Sequence, residues 1–578
     1  MTDLSSTIEA RFRDALAKAF GDEHRATDPL VRLSTDERFG DYQANVAMSL
    51  AKTLGAKPRD VAASIVAALD AADLFERVEI AGPGFINLTL TNDALGRRVE
   101  AMHEDERLGV EPAPRERIVV DYSGPNVAKE MHVGHLRSTC IGDAIARVLR
   151  FLGHDVIGQN HLGDWGTQFG MLIEYLMESG GAVSREIGDL NAFYQEAKRR
   201  FDGDPEFAER ARLRVVALQR GDAETLELWR TLVDASKRYF DTIYERLDID
   251  RSLLEYRGES AYNDDLDDVI RGLDEAGLLR ESEGALVVYP QGFKGRDGEP
   301  LPMIVRKRDA GYLYATTDLA AARYRLNVLG ATRVIYVTDA RQSQHFAMLF
   351  QTLREAGWAG PNIRLDHVPF GTILGPDRKP FKTRSGDVVR LGEVIDEAEE
   401  RAYAIVAEKN PSMPEEEKRR VAHVVGVGAL KYADLASERI RDYVFDWNRM
   451  LSLDGNTAPY LQNAYVRIRS IFRKADADGI AYEGFGRVKI VEEAERALAL
   501  KLLQLPAVVR GVAESLEPHR LCNYLYELAS AYHRFYERCP VLSADDETRR
   551  SRLRLCDVTA RTLKTGLELL GIATVEQM

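Results

Sequence analysis

A chain of 578 residues, 45% hydrophobic and 29% charged, is too long for one hydrophobic core, and about three or four domains are expected. The composition is that of folded globular protein, which sets disorder aside, and no run approaches about 18 apolar residues, so no membrane-spanning helix is expected. The net charge of −14 argues against a nonspecific polyanion binder without excluding a local basic face.

The opening MTDLSSTIEARFRDALAKAF mixes acids into an amphipathic pattern, unlike the basic end and apolar run of a signal peptide. Across residues 1–112, helical spacing of Ile8, Phe12, Ala15, Leu16 and Ala19, and again from Val61 to Leu69, accompanies the strand-like RVEIAGPGFINLTL. The pattern predicts a small α+β module. Over 113–389 the order becomes strand (RIVVDY), helix (Ile141, Ile145, Val148 and Leu152 on one face) and strand (HDVIGQN). That is a βαβ unit, which predicts a parallel sheet. Charged helical stretches over about 183–250 interrupt it and are expected on the sheet's edge. Strand patterns resume in ALVVYP, YLYATTDLAAARY, RVIYVTDARQ and HVPFGTIL. From 390 to 578 nearly everything has helical period, predicting an all-α domain. Cys140, Cys522, Cys539 and Cys556 are scattered, without a CxxC. Reduced thiols and a cytoplasmic location follow, with no zinc site.

In open α/β sheets ligands bind beyond the carboxyl ends of the strands, and polar residues collect there. Ser123, Asn126, Lys129, His132 and His135 follow the first strand, HLGDWGTQFG the second, and Arg341, Gln342, Gln344 and His345 follow RVIYVTD. The segment His132-Val133-Gly134-His135 suits a phosphate. Free backbone N–H groups at a helix start favour anions, glycine allows close approach, and imidazoles donate to developing charge. A zinc pair or capping histidines are the alternatives, although zinc would need further ligands that no HExxH or cysteine cluster supplies.

Together PNVAKEMHVGHLRST, GDWGTQFGMLI, GYLYATTDLAA and KPFKTRSGDVVRL resemble the class I arginyl-tRNA synthetases. DYQANVAMSLAK and GPGFINL resemble that family's additional N-terminal domain, and NTAPYLQNAYVRIRSIFRKA with the last helices resembles its anticodon-binding bundle, so the similarity spans the chain. The resemblance implies a multidomain α/β protein: a Rossmann-type catalytic domain between an N-terminal module that meets the tRNA elbow and an all-α anticodon-binding domain. It implies two steps. Arginine and ATP give arginyl-adenylate and pyrophosphate, and the 2′-hydroxyl of the terminal adenosine of tRNA(Arg) then takes the arginyl group. Mg²⁺ is expected on the ATP phosphates with no dedicated protein cage, and a monomer is expected.

The same resemblance assigns residues. His132, Gly134, His135, Gly163, Asp164, Gln168 and Lys379 would bind ATP, with Lys129, His132, His135 and Lys382 catalytic. Ser123 and Asn126 would hold the head group of arginine, and Tyr314, Asp318, Gln342 and Glu259 its side chain. A carboxylate matches the planar guanidinium donor fork, which singles out Asp318; the alternative is a helix N-cap before LAAARY, and for Tyr314 plain strand packing. Phe85, Asn87, Tyr460 and Arg467 would touch tRNA, against the alternative that such aromatics close small cores. One departure stands out. In DRKPFKTRSGD, alignment on Thr383, Arg384 and Gly386 puts Phe381 and Lys382 where methionine and serine of the family's KMSKS loop sit. Lys129, three residues before the signature, would take over the missing lysine's role, unless it is a solvated loop lysine. Two other functions stay open: a nucleotidyltransferase of the HxGH type, and a noncatalytic synthetase-like RNA-binding protein.

Overall fold

The computed structural model describes residues 3–34, 36–179, 190–308, 311–381, 389–480 and 485–578. At its centre lies a five-stranded parallel sheet in the order Arg364–Phe370, Arg333–Asp339, Arg117–Asp121, Asp155–Asn160, Leu254–Tyr256. The middle strand is apolar on both faces, with Ile118, Val119 and Val120 fully buried, as a strand covered on two sides must be. Helix Val133–Phe151 connects it to its parallel neighbour Asp155–Asn160. Where the two meet, a Cβ on Gly142 would stand 2.3 Å from the Tyr122 ring. Only glycine permits that approach.

Two expectations are corrected. YLYATTDLAAARY was expected as a strand, but Tyr314–Asn327 is a helix with Leu313 at its N-cap. The aromatic alternation ends where the alanine-rich run begins, and helix propensity prevails. ALVVYP does form a strand, Ala285–Val288, but in a separate antiparallel sheet with Arg280–Ser282 and Met303–Arg306. Glu283 and Gly284 both take positive φ between Ser282 and Ala285, the two-residue hairpin turn that reverses the chain.

The inserted helices Leu190–Gly203, Pro205–Gln219 and Ala223–Arg246 lead back into the edge strand Leu254–Tyr256. The last of them also reaches over the strand ends. Its Trp229 donates to the Asp164 carbonyl at 2.8 Å, and Ser236 Oγ accepts from the Ala128 amide at 2.9 Å.

The N-terminal module is an antiparallel sheet ordered Val31–Leu33, Tyr42–Ala44, Phe85–Leu90, Phe75–Ala81 under helix Leu4–Phe20, whose Ile8, Phe12, Ala15 and Leu16 are buried at the expected spacing. The C-terminal helices Ala458–Ala477, Glu493–Leu502, Leu505–Ser515, His519–Arg538 and Asp546–Leu569 form the bundle. Arg496 ties the two together, reaching Asn92 at 2.6 Å and Asp41 at 2.7 Å. Buried charges join helix Glu415–Leu435 to the helix that follows the middle strand and to the end of the inserted helix Ala223–Arg246. Arg137 pairs with Asp434 at 2.8 Å, and Lys431 donates to the Leu247 carbonyl at 2.7 Å. All four cysteines are buried and unbonded.

Candidate active site

His132 is the N-cap of helix Val133–Phe151, and His135 occupies its first turn. His132 Nδ1 accepts the Gly134 amide at 3.0 Å, and His135 Nδ1 accepts the His132 amide at 3.0 Å. With Nδ1 an acceptor in each ring, the proton of neutral imidazole is on Nε2. Burial, with the Lys129 charge nearby, holds the His132 pKa below its ordinary value, and burial together with His132 pushes His135 down to about 3. Both rings, 3.9 Å apart, are therefore neutral donors at pH 7. The capping role and the donor role coexist, because they use opposite ring nitrogens.

A second cluster forms beyond the neighbouring strands. Asp318 lies a full turn inside its helix, so the N-cap alternative is excluded. Its Oδ2 stands 2.6 Å from His345 Nε2, and its Oδ1 is 4.0 Å from His161 Nε2. Glu259 opens the short turn Glu259–Asp265, held by its amide to the Leu162 carbonyl at 3.0 Å. Burial, then the charges of Asp318 and Asp164, raise the Glu259 carboxyl to about 8. Two acidic charges thus act on Glu259, an environment that favours a positively charged guest. Tyr314, 71% exposed, and Gln342, also exposed, stand on the first turn of Asp318's helix and on the turn before His345.

Other expected residues are placed differently from one another. Asn126 is exposed and bridges to Gly163, where a Cβ would fall 2.2 Å from Asn126 Oδ1. Ser123 is turned inward, with its hydroxyl 2.6 Å from Tyr244 OH. Asp164 is buried, one oxygen accepting the Ser260 amide at 2.8 Å and the other its hydroxyl at 2.7 Å. Gln168 begins helix Gln168–Glu178, half-buried. Lys129 Nζ rests 4.5 Å from the centre of the Tyr194 ring. Lys382 lies outside the described residues. Its neighbours do not: Lys379 closes a turn onto Gly375 at 2.7 Å, Phe381 stacks on Phe445 at 4.7 Å, and after the loop Arg390 bridges to His132.

On the bundle, Tyr465, Tyr532 and Phe535 are core. Tyr460 instead packs against Tyr526 and His533, and Arg467 lies 5.3 Å over the Tyr536 ring, leaving one face of rings and guanidinium toward solvent. Phe85 is half-exposed at a hairpin end, whereas Asn87 is buried and accepts from Gln43 at 2.8 Å.

Comparison with known proteins decides among the remaining possibilities. The class I (R) tRNA synthetase catalytic domain matches residues 98–447, the DALR anticodon binding domain 461–578, and the arginyl tRNA synthetase N-terminal domain 6–90. The arginine–tRNA ligase of Thermobifida fusca is 54% identical over all of both chains. The chain belongs to the arginyl-tRNA synthetases. It is an arginine–tRNA ligase with ATP as a substrate. Two solved arginyl-tRNA synthetases cover it completely and are covered by it: that of Plasmodium falciparum at TM-score 0.86 and 32% identity, and that of Thermus thermophilus at 0.83 and 28%.

His345 and His161, beside Asp318, and Tyr244, beside Ser123, are residues of the candidate site that sequence reasoning did not assign. His345 and His161 reach Asp318 from 27 and 157 positions away along the chain. Their only linear signal was position after a strand end.

Proposed function

We propose that this enzyme forms arginyl-adenylate at the carboxyl end of its parallel sheet and passes the arginyl group to the 2′-hydroxyl of the terminal adenosine of tRNA(Arg). The observation that carries the reading is the pairing of two sites along one sheet edge: neutral Nε2–H donors at His132 and His135, and the acidic cluster of Asp318, Glu259 and Asp164. In-line displacement at the α-phosphorus needs positioning and stabilisation of charge on the phosphate oxygens. Neutral imidazole donors at a helix start supply that without having to gain or lose a proton.

Asp318 and Glu259, with Tyr314 and Gln342 at the rim, hold the guanidinium. Asn126 holds the head group, while Ser123 shapes the loop beneath it through Tyr244. Gly134, Gly163, Asp164 and Gln168 shape the ATP site, where Asp164 acts through Ser260. Lys129, Lys379 and Lys382 supply positive charge, for which Lys129 must leave the Tyr194 ring. Mg²⁺ would bind on the ATP phosphates and neutralise part of their charge. Phe85 and the face of Tyr460 and Arg467 bind tRNA by stacking and phosphate pairing, with Asn87 supporting Phe85 from within the sheet. A cytoplasmic monomer fits this reading, and no described helix is long and apolar enough to cross a membrane.

Pyrophosphate exchange with each of the twenty amino acids, with and without tRNA, tests the reading. Exchange is expected with arginine alone, and only when tRNA is present. Exchange with another amino acid would overturn the pocket assignment.

A further inference from the structure

The backbone of Asp318 is set by its helix. Its helix is fastened from below by buried Arg325, which donates to Gln159 at 2.7 Å and to Asp121 at 2.7 Å. Nothing in that anchorage sets the side-chain torsions of Asp318. The Asp318 charge acts on Glu259, so the two acids are neighbours, and the orientation of the Asp318 carboxylate decides what it can receive. His161 is too distant, at 4.0 Å, to hold it.

His345 is the group within reach. Its Nε2 stands 2.6 Å from Asp318 Oδ2. The ring is itself fixed: it meets Phe346 edge-on at 5.3 Å, Phe346 stacks on His367 at 4.9 Å, and His367 Nε2 is 2.8 Å from Thr338 Oγ1 on the adjacent strand. A donor on one rigid element thus meets a carboxylate on another. A carboxylate has about four lone-pair positions, so one bond to His345 leaves both oxygens able to accept from a guanidinium.

We propose that His345 is a positioning residue for arginine recognition, its Nε2–H clamping the Asp318 carboxylate in the orientation that receives the guanidinium. This rests on Asp318 being the guanidinium partner. It explains why a histidine follows the DARQ turn at this spacing, and it makes the fidelity of the pocket depend on a residue that does not touch the substrate.

The test is the arginine KM, ATP KM and kcat of tRNA-dependent aminoacylation by the full-length enzyme. Two variants separate donor from packing: His345→Phe keeps a ring and removes the donor, and His345→Gln keeps a donor near the Nε2 position and removes the ring. His345→Phe is expected to raise the arginine KM about 10- to 100-fold, the loss of one charge-assisted hydrogen bond, with the ATP KM unchanged and kcat within a few fold. His345→Gln is expected to recover most of that loss. The pair His345→Phe with Asp318→Ala is expected to be no worse than Asp318→Ala alone.

The reverse order, with Phe tolerated and Gln harmful, would mark a packing role and overturn the proposal. So would arginine and ATP KM values rising together. If His345→Phe does not fold by circular dichroism, His345→Gln decides, and an arginine KM as high as that of Asp318→Ala overturns the clamp. An Asp318→Ala enzyme with wild-type arginine KM would instead sink the pocket assignment itself, and the two failures are thereby distinguished.

Discussion

Each histidine of the His132–His135 pair spends Nδ1 on the backbone, which leaves its proton on Nε2, so replacing either should remove one donor without unfolding the helix. Adenylate formation should fall about 10²–10³-fold for His132→Ala and for His135→Ala, as for an oxyanion donor, in single-turnover assays with tRNA present. Near-normal rates would refute the phosphate-site reading. Glu259 gives a pH dependence of definite sign. Its carboxyl is raised to about 8, so at pH 7 the ligand-free enzyme holds a proton that a bound guanidinium would expel. Arginine affinity should therefore rise as pH rises toward about 8 and flatten above, with proton release visible as a buffer-dependent binding enthalpy. The folded state keeps this proton where the unfolded chain has lost it, so ligand-free stability falls between the ordinary glutamate range and about pH 8. Glu259→Gln should abolish both slopes. The histidine pair is a local helix-start pattern, whereas the behaviour of Glu259 was not legible in the sequence alone, since it depends on burial and on Asp318 and Asp164 carried by other elements.

Between elements, a buried ion pair holds helix Val133–Phe151 to helix Glu415–Leu435. Arg137 and Asp434 are both almost completely buried and 2.8 Å apart. Removing one partner leaves the other charge stranded, and Asp434→Ala should cost about 3–5 kcal/mol in chemical denaturation. The double replacement Arg137→Met with Asp434→Leu should recover much of it, because no lone charge remains. Full destabilisation by the double variant would show that shape rather than charge matters there. The element scale also shows where pattern reading fails. The βαβ unit and the first helix of the N-terminal module follow periodicity closely, whereas YLYATTDLAAARY has strand-like aromatics at its start and a helix former's run after them. Tyr314 is exposed, so its apolar character reported nothing about the core.

For the whole molecule, the net charge of −14 and an RNA substrate would be reconciled by a local face such as the one proposed at Arg467 and Tyr460. Binding of tRNA should weaken steeply with salt, because phosphate contacts release counterions; a flat response in filter binding would count against the face. Deleting the chain after about residue 455 should abolish tRNA binding and, with it, tRNA-dependent activation. That expectation carries a structural condition: the catalytic core must survive the loss of contacts such as Arg333 to the Ala513 carbonyl at 3.2 Å, which circular dichroism of the truncated protein would show. Charging by a folded truncation would refute the role assigned to the bundle.

Motif order and periodicity determined the family resemblance, the parallel sheet, the helical tail and the strand ends at which chemistry collects, because these depend on spacing along the chain. Tertiary structure alone decided which face each polar group takes: Ser123, Asn87 and Asp164 turned inward, Asp318 inside a helix rather than capping it, and His345 brought to its carboxylate. Such choices are made by contacts between residues tens to hundreds of positions apart, and no local pattern records them.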